Sequence, residues 1–108
     1  MELPIIVSNH GDAEIFASIA EVQDYLEAAD VLDDEYVAYD SVGYVLSLFV
    51  KNGKIHIEDA ESKILKQQEL RELLTRYLAY VNVPLDWLRQ ATLLQLVEKR
   101  MDREKSMG

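Results

Sequence analysis

The apolar positions change period along the chain, and those changes divide it into elements. Leu3 to Val7 is a short β-prone run, and Ser8-Asn9-His10-Gly11-Asp12 after it is dense in turn residues. Ala13 to Phe16 reads as a second short strand, so the start of the chain predicts a hairpin. Ser18 followed by Glu21 is a capping-box pattern, in which hydroxyl and carboxylate each satisfy a backbone N–H of the first helical turn. From there Ile19, Val22, Tyr25, Leu26 and Ala29 recur at helical spacing, while Glu21, Asp24 and Glu27 lie off that stripe, toward water. The helix is expected to fail across Asp30 to Glu35, where four of six residues are acidic.

Period two then takes over. Tyr36 to Asp40 and Tyr44 to Val50 are rich in β-formers, and Asp40-Ser41-Val42-Gly43 between them supplies a tight turn. Asn52-Gly53 suits a two-residue type I′ hairpin, which sets Val50 opposite Ile55, Phe49 opposite His56, Leu48 opposite Ile57 and Ser47 opposite Glu58. One face of that ribbon then carries Tyr44, Leu46, Leu48, Val50, Ile55 and Ile57, the expected core face. The reverse face carries Val45, Ser47, Phe49, His56 and Glu58. Whether Val37 and Tyr39 or Tyr36 and Ala38 join it depends on the length of the preceding loop, since one slip swaps faces.

Beyond Lys66 the helical period returns. Leu70, Leu73, Leu74, Tyr77, Leu78 and Val81 define a strongly amphipathic helix, which Asn82-Val83 ends and Pro84 cannot continue. A short turn through Trp87 and Leu88 follows, with Trp87 expected as a core plug at the helix junction. Thr92 with Gln95 repeats the capping-box pattern, and Leu93, Leu94, Val97 and Met101 are read as the last apolar stripe. From Asp102 to Gly108 the chain is expected to fray. The order of elements predicts one α+β domain over residues 1–108: an antiparallel β-meander or hairpins with one N-terminal helix and C-terminal helices packed on one face.

Composition adds exclusions. The chain has 108 residues, 49% of them hydrophobic and 29% charged, and no cysteine, which removes disulfides, thiolate metal sites and cysteine nucleophiles. No apolar run approaches the length of a membrane span, and Met1-Glu2-Leu3-Pro4 lacks a basic leader, so a cytoplasmic location is expected. The net charge of −9 is unevenly spread: through Glu61 there are 14 acidic and two basic residues, and from Ser62 onward six acidic and nine basic. Such an acidic first half disfavours nucleic acid and anionic membranes and speeds encounter with a basic partner. The plainer explanation, an acidic surface that keeps a small protein soluble, stands beside it.

Little in the sequence points to bond-making chemistry. There is no phosphate-cradling glycine loop, no dinucleotide fingerprint and no nucleophile elbow. Asp30 to Glu35 and Glu58 to Glu61 lack the spaced ligands and central glycine of a calcium loop. His56 and Glu58 share a strand face, a geometry usable by a general base or a two-ligand metal site, but no second histidine completes it. His10 is read as a solvated turn residue. Lys99, Arg100, Arg103 and Lys105 are read as cations complementing a helix C-terminus. Tyr36, Tyr39 and Tyr44 cluster around one turn beside carboxylates, which suits either an interface or the packing of a small sheet.

Glu14-Ile15-Phe16, then Ser18 through Tyr25-Leu26-Glu27, then Glu35-Tyr36-Val37-Ala38-Tyr39-Asp40 and Gly43, with Asp86-Trp87-Leu88 later, together resemble small acidic bacterial immunity proteins of contact-dependent and polymorphic toxin systems. The resemblance spans most of the chain and carries over no catalytic residue. It implies a stoichiometric inhibitor that binds a cognate toxin, and an acidic inhibitor suits a basic toxin. On this reading the protein is non-enzymatic and needs no cofactor or metal. Its partner-contact residues are Asp30, Asp33, Asp34, Glu35, Tyr36, Tyr39, Asp40, Glu58, Asp59 and Glu61. Two other readings remain: a structural or regulatory domain that self-associates as a homodimer through Val45 and Phe49, and a small enzyme using His56 and Glu58.

Overall fold

The computed structural model describes residues 1–107. It is an α+β fold in the order β1 (Ile5–Asn9), β2 (Asp12–Phe16), α1 (Ile19–Tyr25), α2 (Ala28–Leu32), β3 (Tyr36–Tyr39), β4 (Leu46–Lys51), β5 (Lys54–Asp59), α3 (Gln67–Tyr80), α4 (Leu85–Gln90) and α5 (Leu93–Met107). β1 is the centre of an antiparallel sheet in the order β2-β1-β3, and β4 pairs with β5 as a separate ribbon. Among the described residues a bridge, Tyr39 to Val45, joins the two sheets.

The central strand explains the architecture. Ile5, Ile6 and Val7 are all fully buried, because β1 is covered on both faces and so reads as a continuous apolar run. Ile6, Ala13, Ile15 and Tyr39 point to one face and pack with Leu70, Leu73, Leu74, Leu78, Leu88, Leu96 and Val97 of α3, α4 and α5. Ile5, Val7, Phe16 and Ala38 point to the other and pack with Val22 and Leu26 at α1, Val31 of α2 and Leu46, Ile55 and Ile57 of the ribbon. The C-terminal helices therefore share one face, as expected, but the sheet is the middle layer of three, not a sheet with one face open.

Several local expectations hold. The first turn is His10-Gly11 with both φ angles positive, and the ribbon turn is Asn52-Gly53 with φ 54° and 74°. The ribbon register pairs Val50 with Ile55, Phe49 with His56, Leu48 with Ile57 and Ser47 with Glu58. Ser18 caps α1, its hydroxyl accepting from the Glu21 N–H at 3.2 Å. Thr92 and Gln95 form both halves of a capping box, at 2.8 and 3.2 Å. α3 ends in a Schellman turn at Asn82 (φ 70°), with the Val83 N–H donating to the Leu78 carbonyl at 2.9 Å.

Other expectations are corrected. The N-terminal helix is two: Leu26 turns extended (ψ 146°) and the chain restarts as α2 at Ala28, which brings Val31 onto the sheet and leaves Ile19 and Tyr25 exposed. Tyr44, expected on the ribbon's core face, is exposed, because it precedes β4 and bridges Leu65. In α5 the inward stripe is Leu93, Leu96, Val97, Arg100 and Met101, and Leu94 faces out. Trp87 is 37% exposed, with the Lys99 ammonium 5.6 Å from its ring centroid, because Leu88 takes the inward position on α4. α5 runs on through Asp102 to Met107, and the expectation for Gly108 lies outside the described residues.

Candidate protein-binding surface

The carboxylates singled out in the sequence fall into two groups at opposite ends of β3. At its start, the link from α2 exposes Asp33, Asp34 and Glu35, with Asp34 in the left-handed region (φ 55°). Asp30 accepts a hydrogen bond from the Tyr36 hydroxyl at 3.2 Å, and the Glu35 carboxylate lies 3.7 Å from the His10 imidazole at the neighbouring hairpin turn. Tyr36 is half-buried; desolvation first, and the Asp30 carboxylate second, push its phenol up to about 12. Asp30, Asp33, Asp34, Glu35 and Tyr36 thus form one contiguous acidic end.

Glu58, Asp59 and Glu61 sit at the other end of β3, where Leu46 pairs with Asp59. All three are exposed, and Asp59 meets the Met1 ammonium at 3.1 Å. Strand rise places the two groups more than about 10 Å apart. The described fold therefore does not merge them into one flank.

Two expected contact residues are internal. Asp40 is 2% exposed: its Oδ1 accepts from the N–H groups of Val42, Gly43 and Tyr44 at 3.0 Å each, and its Oδ2 from that of Glu2 at 3.2 Å. It is the organiser of the β3–β4 turn, where Gly43 adopts φ 108° and an added Cβ would lie 2.9 Å from Gln67 Cγ. Tyr39 is buried against α3, its hydroxyl donating to Glu69 at 3.2 Å, and burial pushes its phenol up to about 12. A saturated buried carboxylate and a core tyrosine offer nothing to a partner, so both leave the candidate surface.

His56 and Glu58 share a strand face, but His56 stacks flat on Phe49 (centroids 5.4 Å apart, planes 12° apart) and no hydrogen bond joins it to Glu58. Among the described residues no three His, Cys, Asp or Glu side chains converge to hold a metal ion, and no helix is long and apolar enough to cross a membrane.

A feature absent from the sequence reading is a groove of about 750 Å³ along β2, between α1 and α5. Its floor is Glu14 to Ala17, and Tyr25, Tyr77 and Met101 line its walls. Arg100, read from the sequence as one of the cations complementing a helix C-terminus, is 4% exposed beside it. Its Nε donates to the Ala13 carbonyl at 2.7 Å, its Nη1 to Glu104 at 3.0 Å, and its guanidinium lies 4.3 Å from the Tyr77 ring centroid. The signal was present: Leu93, Leu96, Val97, Arg100 and Met101 keep helical spacing, and an arginine inside an apolar stripe points to a buried acceptor.

A comparison of the chain with family models, with curated proteins and with solved structures returns no match.

Proposed function

We propose that this chain is a non-enzymatic protein-binding domain that docks a basic partner, and that it acts as an immunity protein neutralising a cognate bacterial toxin. One observation carries the reading: Asp33, Asp34 and Glu35 project together from the α2–β3 link, with Asp30 and Tyr36 tied to each other beside them. Such a run accelerates encounter with lysine- and arginine-rich surfaces, and exposed carboxylates engage guanidinium groups in bidentate pairs. The resemblance to immunity proteins supplies the biological role, and the charge imbalance of the first half supports a basic toxin.

Co-expression with the product of the adjacent upstream reading frame tests this. The expected result is an equimolar complex and relief of that product's toxicity. Reversing Asp33, Asp34 and Glu35 to Lys should slow association at least tenfold at low salt and flatten its ionic-strength dependence. Association unaffected by the triple reversal would remove this surface from the interface, and absence of any complex would remove the toxin-inhibitor reading.

A further inference from the structure

β2 is a rim of the three-stranded sheet: β1 pairs with it on one side and, among the described residues, no strand lies on the other. The hairpin register decides which of its backbone groups face outward. The Asn9–Asp12 pair closes a two-residue turn, so hydrogen-bonded pairs recur at Val7–Glu14 and Ile5–Phe16, and the backbones of Ala13 and Ile15 turn away from β1. The Arg100 Nε on the Ala13 carbonyl marks that outward phase directly. Two residues past Ile15, in the same phase, the Ala17 N–H donates to Glu21 Oε2 at 2.6 Å. Side chains thus occupy both ends of the rim, and by the same register the N–H and C=O of Ile15, a residue 5% exposed, face the groove it lines between them.

Exposed strand edges are templates for further strands, and proteins ordinarily cover them along their length. Here the uncovered stretch runs between two helices, with an aromatic wall of Tyr25 on Phe16 (centroids 5.4 Å apart) and Tyr77 opposite. Its charge is one-sided. Glu14, Glu21, Asp24 and Glu104 line it, against Lys105 and an Arg100 already committed to Ala13 and Glu104. Glu14 keeps one carboxylate oxygen, Oε2, buried without a hydrogen-bond partner, while Oε1 accepts from Tyr25.

We propose that this groove binds an extended, basic peptide segment of a partner protein, which adds to the free edge of β2 as a further strand. Main-chain hydrogen bonds to Ile15 hold the segment, and its cationic side chains meet Glu14, Asp24 and Glu104. A second copy of this chain is the poorer occupant, because symmetric β2–β2 pairing sets the same carboxylates against one another. The inference concerns a surface separate from the Asp30–Tyr36 end and stands whether or not the partner is a toxin.

The test is an amide NMR titration of the folded chain with a capped octapeptide of alternating lysine and valine. Saturable shifts confined to β2, α1 and α5, with at least tenfold slower hydrogen exchange at the Ile15 amide, are expected. The same peptide N-methylated at alternate residues, which deletes its donors, should bind at least tenfold more weakly, as should a peptide with glutamate in place of lysine. Asp24→Lys should weaken the lysine peptide several-fold and leave the fold intact. Absence of saturable shifts at β2, equal binding of the N-methylated or glutamate peptide, or a peptide-free dimer paired through β2 would each overturn the proposal.

Discussion

Asp40 shows what one side chain does when its chemistry is read without its surroundings. In the sequence it is a carboxylate beside tyrosines, the profile of a contact residue. In the fold it accepts four backbone N–H groups and is closed to solvent. Asp40→Ala strands those donors and is expected to cost about 3 kcal/mol in urea unfolding, far more than Asp33→Ala on the surface. The half-buried Tyr36 and the buried Tyr39 make a second prediction. Tyr36 and Tyr39 are each held near 12, above the ordinary phenol value, so the folded state favours their neutral forms. Their contribution is complete below pH 10 and is lost as pH rises from about 10 through 12. Alkaline unfolding should therefore set in across that window, and Tyr39→Phe, which cannot ionise, should move its midpoint upward; a pH-independent stability through pH 12 would contradict it. Tyr39 and Asp40 were legible as strand and turn residues, but their burial was not: that of Tyr39 depends on α3, where Glu69 lies 30 positions on, and that of Asp40 on its own turn and on Glu2, 38 positions back.

At the scale of elements, the parts governed by local rules were readable and the parts governed by docking were not. The Asn52-Gly53 turn fixes the β4–β5 register by itself, and it appears as expected. The caps at Ser18 and Thr92 likewise need only their own first turn. By contrast, the break at Leu26–Glu27 carries no glycine or proline signal, and what it accomplishes, seating Val31 on the sheet, is a tertiary matter. The α5 stripe was misplaced because Leu94 outranks Arg100 on hydrophobicity, although Arg100 occupies the inward position. That placement is testable. Arg100→Met keeps the side-chain volume but leaves the Ala13 carbonyl and Glu104 without their donor, and is expected to cost about 2–4 kcal/mol. Glu104→Gln, which touches only the exposed partner, should cost under about 1 kcal/mol. Equal effects of the two variants in denaturant unfolding would contradict the role given to Arg100.

At the scale of the whole molecule, charge and shape decide what the surface offers. The fold extends 46 × 31 × 21 Å, and its acidic first half is spread over three places: the Asp30–Tyr36 end, the Glu58–Glu61 end and the β2 groove. Charge arithmetic on the sequence detects the excess but not this partition, which follows from strand order. Few of those carboxylates are paired with cations, so they repel one another across the surface. Raising NaCl from 0.01 to 0.3 M should therefore raise the thermal midpoint by about 2–5 °C, as screening relieves the repulsion. A midpoint that falls with added salt would show that attraction dominates instead.

The Arg100–Ala13 bond spans 87 positions of chain. The opening hairpin, with its strand edge, leaves the ribosome long before the residue that clasps it is made. In that interval a nascent chain carries an unclosed, adhesive border, vulnerable to pairing with neighbouring polypeptides. Arg100 is thus the latch by which a segment translated late closes the Ala13 end of an edge translated early, and leaves the stretch at Ile15 as the part still open to a partner.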